Sequence, residues 1–220
     1  MKVLITGGAG FIGSTIASAC SDAGIRPVIL DDLSAGRRSF AERFPFFEGD
    51  YGDPDVVEAV FAAHPDIDAV VHCAASIVVP ESIADPLRYY DNNVAKLTPF
   101  LRVVLAHGCR RFLFSSTAAM YEPDEDLLVD ESSPIRPLSP YAASKAMVEH
   151  ILADTALATG LRVIALRYFN PIGADPALRT GLQVERPSHA LGKLVEAHQT
   201  GTPFVVTGTG MDTEIGSIAD

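Results

Sequence analysis

Residues 6–13 read TGGAGFIG, and the fold turns on what these glycines are for. Gly7, Gly10 and Gly13 stand three apart, with Gly8 beside the first. VLIT (3–6), just ahead of them, is apolar or β-branched and reads as a strand. Phe11 and Ile12 open an apolar stretch that predicts a helix over 11–24. Taken alone, such glycines mark only a tight strand-to-helix turn.

The next predicted strand, PVILDD (27–32), ends in Asp31–Asp32 and changes that reading. Glycines let a backbone approach a pyrophosphate, and a helix N-terminus presents unpaired N–H groups to it. A carboxylate closing the second strand then meets the adenosine ribose hydroxyls. Asp31 would repel a 2′-phosphate, which favours NAD over NADP. Arg37 and Arg38 keep NADP as the alternative, because arginines at this point can receive that phosphate.

Outward from the loop, short apolar runs alternate with amphipathic stretches. AVVHCAA (69–75), RFLFSS (111–116) and LRVIALRYF (161–169) read as strands, with FPFFEGD (44–50) a weaker one. Helices are predicted near 54–63, 86–107, 140–159 and 187–200. Apolar strands separated by helices predict an α/β fold, a doubly wound parallel sheet covered on both faces. The acidic, proline-rich EPDEDLLVDESSPIRPLSP (122–140) reads as a solvated loop rather than a lid. Composition changes after Asn170, so residues 1–170 are expected to form the dinucleotide-binding domain and 171–220 a small partial lobe.

A chain of 220 residues that is 48% hydrophobic can bury a full core. Its net charge of −11 argues against nucleic acid and anionic membranes as partners. Cys20, Cys73 and Cys109 lack metal-ligand spacing and are odd in number, so reduced thiols, no metal and a cytoplasmic setting are expected. No signal peptide or membrane span is read from the sequence.

SPYAASKAMVEH (139–150) places Tyr141 and Lys145 one helical turn apart. A free phenol has a pKa of about 10 and is a poor base at neutral pH. A neighbouring cation favours its phenolate, so this pair is a candidate general base. By itself the spacing more often marks a surface pair. His72 sits in a strand expected to be buried and reads as a core histidine, and Tyr89 and Tyr90 read as packing residues.

Taken together, TGGAGFIG (6–13), ILDDLS (29–34), EGD (48–50), PLRYYDNNV (86–94), FLFSSTAAMY (112–121), SPYAASKAMVE (139–149) and LRYFNPIGA (166–174) resemble the extended short-chain dehydrogenase/reductases. Within them the blocks are similar to the UDP-glucose (UDP-galactose) 4-epimerases, in the same order over nearly all of residues 1–205. The resemblance implies a Rossmann domain that binds NAD and a UDP-sugar substrate epimerised through a transient 4-keto intermediate. It implies that Tyr141 is the base, Lys145 its pKa-lowering partner, and Thr117 a hydrogen-bond partner of the reacting sugar hydroxyl. Gly7, Gly10, Phe11, Ile12, Gly13, Asp31, Cys73, Ala74, Ala75, Asn92, Tyr141, Lys145 and Phe169 would line the cofactor, with Asp50 and Tyr51 by the adenine. Thr117, Tyr141, Asn170 and His189 would meet the sugar nucleotide. A homodimer through the helices near 86–107 and 140–159 is also implied.

Ala118 and Ala119 stand where related dehydratases carry an Asp-Glu pair, which removes support for dehydration. Another nucleotide-sugar enzyme of the same family, or a non-catalytic NAD-binding protein, are the rival readings. Three departures stand out. Glu122 replaces a usual glycine, Ile77 replaces a basic residue of some members, and the Arg-Asp-Tyr-x-His-Val block expected after VVTGTG is absent. The C-terminal substrate lobe is therefore expected to be incomplete, either because the sequence is a fragment or because the lobe has been lost.

Overall fold

A computed structural model describes residues 1–124, 128–183 and 190–205. Strands β1 (Lys2–Thr6), β2 (Arg26–Asp31), β3 (Phe46–Glu48), β4 (Ala69–His72), β5 (Arg111–Ser115) and β6 (Arg162–Leu166) form one six-stranded sheet in the order β3-β2-β1-β4-β5-β6. Every pairing is parallel. This is the Rossmann order, which reverses direction between β1 and β4 and so opens a crevice beyond their C-terminal ends. Thr6 pairs with Leu30 on one side and His72 on the other, which places Gly7 and Cys73 on that rim.

Side chains alternate across the sheet as strand geometry requires. Leu4, Val28, Leu30, Val70, Phe112 and Phe114 face one apolar cluster. Val3, Ile5, Ile29 and Val71 face the other. The helices are α1 (Phe11–Asp22), α2 (Arg38–Ala41), α3 (Pro54–Ala63), α4 (Val79–Ala84), α5 (Pro86–Tyr90), α6 (Leu97–Ala106), α7 (Pro140–Thr159) and α8 (Ala190–Thr200). Asp53, Asp85 and Ser139 cap α3, α5 and α7, each followed by proline at the first helical position, where its missing N–H costs nothing.

The predicted helix over 86–107 is present in three pieces. A π-helical turn, Asp91–Ala95, separates α5 from α6. Within it, Asn93 is buried, its Oδ1 accepting from Ser76 N at 2.8 Å and its Nδ2 donating to Ser76 O and Ser144 Oγ, each at 3.0 Å. The sixth strand departs from the expectation of two covered faces: Ile164 is 60% exposed and Leu166 42% exposed. The described part of the 122–140 loop is pinned at its base by a Tyr121–Ile135 bridge, and Glu122 pairs with Arg136 at 2.6 Å across it.

Contacts divide the chain into Met1–Gly181 and a unit from Leu182 onward, whereas the sequence placed the change at residue 170. Residues 171–181 are tied into the first unit. Arg179 bridges Asp22 and Asp175, each at 2.6 Å, and Ala174 pairs with Gly181. In the second unit α8 is the described helix, followed by a turn in which Thr202 N donates to Ala197 O at 3.1 Å.

Candidate active site

The glycine loop is shaped by close backbone approach. Gly7 has φ +68°, and a Cβ there would lie 2.6 Å from Ala74 N. A Cβ on Gly13 would meet Gly7 O at 2.2 Å, so the helix can begin against the loop only without a side chain. Gly10 caps α1 without a side-chain hydrogen bond, and the first turn carries no acidic residue. The N–H groups of Phe11, Ile12 and Gly13 therefore have no intrahelical acceptor and lie at the positive end of the helix dipole. A loop that excludes Cβ atoms and a helix start with open donors fit a dinucleotide pyrophosphate.

Asp31 is 8% exposed, and its carboxylate also builds the loop. Oδ2 accepts from Ala9 N at 2.9 Å and Oδ1 from Leu33 N at 2.8 Å. Burial raises its pKa, and these two N–H groups pull it back. Two lone-pair positions remain for ribose hydroxyls. Arg38 is paired with Glu48 and lies over Phe46.

Where the adenine was expected, Asp50 accepts from Lys96 Nζ at 2.6 Å and from Gly52 N at 2.8 Å. Tyr51 turns inward. Its phenol donates to Asn92 O, and its ring meets His72 and Phe100 edge-on at 4.8 and 5.7 Å. Any adenine contact from Tyr51 must therefore come from its backbone. Asn92 accepts from Lys96 at 3.0 Å and donates to Ser76 Oγ at 3.2 Å. His72, as expected, is a core residue: it bonds Thr6 at 2.7 Å, and burial holds its pKa down at about 3.

The chemistry-bearing residues meet beyond β5. Thr117 ends the strand-to-turn segment, buried at 8% exposure; its hydroxyl accepts from Ala119 N at 3.2 Å and faces the Tyr141 phenol closely enough to pull its pKa down. Lys145 is 2% exposed, donates to Ser115 O at 2.9 Å and lies 4.8 Å over the Phe114 ring. No carboxylate contacts it among the described residues, and burial brings its pKa from 10.5 to about 8. Its Nζ is 5.9 Å from the Tyr141 ring centroid.

The expected lysine effect on the phenol is not what sets its titration here. Burial raises the Tyr141 pKa above 10, and the pull downward comes from Thr117, while Tyr89 pushes it up further. The reason is distance and desolvation: the ammonium points to the Ser115 carbonyl, and the phenol is shielded from water.

Gly7, Gly10, Phe11, Ile12, Gly13, Cys73, Ala74, Ala75 and Thr117 lie on loops or a helix start past the C-terminal ends of the strands, Asp31 ends β2, Asn92 lies in the π-helical turn, and Tyr141 and Lys145 lie in the first two turns of α7. Cys73 is half-buried, its thiol pushed up to about 12 by burial against the pull of Lys145. Phe169 is 70% exposed and Asn170 exposed beyond the end of β6. His189 lies outside the described residues. Sequence reasoning missed Tyr168, whose phenol bonds Ser115 Oγ and whose pKa burial raises to about 12. It also missed Asn93, Glu149 and Arg167; the quoted motif blocks contained all four.

Known proteins share this fold. The profile of the NAD dependent epimerase/dehydratase family matches residues 3–213. The chain belongs to that family. A UDP-glucose 4-epimerase of Azospirillum brasilense is 45% identical over 218 residues, 98% of this chain and 62% of that protein. The crystal structure of UDP-glucose 4-epimerase from Brucella ovis in complex with NAD superposes with a TM-score of 0.91 at 36% identity, covering 98% of this chain and 66% of that one. The Stenotrophomonas maltophila UDP-glucose 4-epimerase, solved with bound NAD and formylated UDP-arabinopyranose, gives 0.91 at 34% identity, covering 99% of this chain and 68% of that one. This chain thus spans a little under two thirds of the first two proteins. Among the described residues no helix is long and apolar enough to cross a membrane.

Proposed function

We propose that this chain carries the cofactor site and proton-transfer residues of an NAD-dependent UDP-hexose 4-epimerase. The observation that carries the reading is the Tyr141 phenol facing the Thr117 hydroxyl, beside a buried Lys145 that no described carboxylate neutralises. A protein that only binds a dinucleotide has no need of such a group. Held by the glycine loop, the α1 N-terminus and Asp31, NAD⁺ would supply a reversible hydride acceptor, so the overall reaction has no net redox change.

The chain's residues then move one proton. Tyr141 takes it from the sugar 4-hydroxyl and returns it to the 4-oxygen after the sugar has turned. Thr117 donates a hydrogen bond to the phenolate and holds the hydroxyl in line. The ammonium of Lys145 has three donors, and Ser115 takes one, which leaves two for ribose hydroxyls. Ala118 and Ala119 supply no acid or base, which favours epimerisation over loss of water.

Incubating the protein with NAD⁺ and UDP-galactose tests this, with UDP-glucose followed by chromatography. Interconversion is the expected result. A 4-keto-6-deoxy product, or no turnover by protein shown to hold NAD, would overturn it. The homodimer belongs to the same proposal, supported by Met147 and Leu157, which are 46% and 89% exposed on α7. Sedimentation at micromolar concentration checks it.

A further inference from the structure

Glu149 takes no part in the chemistry above, yet it is tied to the same segment. Tyr141, Lys145 and Glu149 fall on successive turns of α7, about 12 Å from first to last at 1.5 Å per residue. Each reaches one of three consecutive residues at the end of β5 and just beyond it. Lys145 donates to Ser115 O at 2.9 Å, Ser116 Oγ donates to Glu149 Oε1 at 2.5 Å, and the Thr117 hydroxyl faces the Tyr141 phenol.

Glu149 is also clamped from behind. Arg167 donates Nε to both carboxylate oxygens at 3.0 and 3.1 Å and Nη2 to Oε2 at 2.6 Å. Its Nη1 donates to Tyr121 OH at 2.8 Å, and the guanidinium stacks 5.1 Å from that ring, on the far side of Thr117. Backbone bonds from Ser116 N to Leu166 O and from Ala118 N to Tyr168 O, both 3.0 Å, hold the same segment to the end of β6 and the residues beyond it. Thr117 therefore sits between two anchors that converge on one ion pair.

We propose that Glu149, with Arg167, is a positioning residue that sets where the Thr117 hydroxyl meets the Tyr141 phenol. This rests on reading Tyr141 as the proton-transfer group. The groups facing that phenol are Thr117, Tyr89 from α5, Lys145 from its own helix, and Tyr168 beyond β6. Among them Thr117 is the one whose pull on the phenol depends on the Glu149 clamp.

The test is a carbon-13 NMR titration of ring-labelled tyrosine in the NAD-bound protein, with Tyr141 assigned by Tyr141→Phe, together with the pH profile of kcat. Ser116→Ala cuts the link from Glu149 to the Thr117 segment and leaves both charges in place. Glu149→Gln and Arg167→Gln each remove one charge. If position governs, all three raise the Tyr141 pKa and lower kcat about tenfold or more, with little change in KM. If the pair acts only through space, Glu149→Gln lowers the pKa, Arg167→Gln raises it, and Ser116→Ala leaves it unchanged. That pattern overturns the proposal. Ser116→Ala is the smallest change, and it decides the matter even if the charge variants fail to fold. Should the parent protein not epimerise while the titration still moves in all three variants, only the functional reading falls. Should it epimerise while Ser116→Ala changes neither quantity, only this proposal falls.

Discussion

Replacing Lys145 with methionine sets stability against function, and the structure gives the size of the effect. The ammonium is 2% exposed, one of its donors satisfied by Ser115 O, with no described carboxylate in contact. A pKa brought from 10.5 to about 8 means that the folded protein holds this proton less tightly than the unfolded chain. At about 1.4 kcal/mol per unit, the buried charge costs about 3 kcal/mol at pH 7. Methionine is of similar length and apolar, so it removes that cost and keeps contact with the Phe114 ring. It also leaves the Ser115 carbonyl without its partner, worth about 1 kcal/mol. Lys145→Met should therefore raise the stability of the cofactor-free protein by about 2 kcal/mol at pH 7.

The sign with pH follows from the same difference. Between pH 8 and 10.5 the unfolded chain keeps the lysine proton and the folded protein sheds it, so wild-type stability rises with pH across that window. The advantage of the variant must shrink there and give way above it to a deficit of about 1 kcal/mol, the lost Ser115 bond. Urea unfolding followed by circular dichroism at pH 7 and pH 10 measures both quantities. A variant less stable than wild type at pH 7, or an advantage equal at the two pH values, would refute the reasoning. The same variant should lose epimerase turnover, as expected where a site keeps a costly charge for its chemistry.

Tyr141→Phe is expected to keep NAD binding, read by fluorescence titration, and to abolish interconversion of UDP-galactose and UDP-glucose. Asp31→Ala should weaken NAD binding by removing both a ribose partner and the acceptor of Ala9 N and Leu33 N. Because burial raises the Asp31 pKa, NAD affinity in the parent should begin to fall at a pH above the ordinary 3.8 as the solution is acidified. Gly13→Ala, whose Cβ would lie 2.2 Å from Gly7 O, should cost more than about 2 kcal/mol in chemical denaturation. Gly24→Ala meets no atom within 4 Å and pays only for its positive φ, about 1 kcal/mol.

Most of the fold was legible because its signals are local. β1, β2, β4 and β5 are apolar runs bounded by turn residues, and Pro54, Pro86 and Pro140 mark helix starts that their capping neighbours confirm. The four-residue α2 and six-residue α4 are too short to show a helical period, so they were not read. The π turn at Asp91–Ala95 left no trace either. Its cause is tertiary, since Asn93 has to reach Ser76 and Ser144 at once.

The site divides along the same line. Tyr141 and Lys145 share a helix, and their spacing alone draws attention to them. Glu149 shares that helix too, but its meaning depends on Arg167, 18 residues on, which β6 brings back across the sheet. In the cofactor-free protein the lysine effect that this spacing suggests does not dominate at Tyr141, for a related reason. Spacing along a helix sets how far apart two side chains begin, but not where they point or how much water they keep. Here Lys145 turns to a carbonyl and the phenol turns to Thr117 inside a shielded crevice, so burial outweighs the nearby charge. A phenol raised in the cofactor-free protein needs a further positive charge to work near neutral pH. Among the described residues the side chains facing it offer none beyond Lys145, so under the proposed function that charge would arrive with the dinucleotide. Binding of the oxidised cofactor would then be the event that readies Tyr141 to accept a proton.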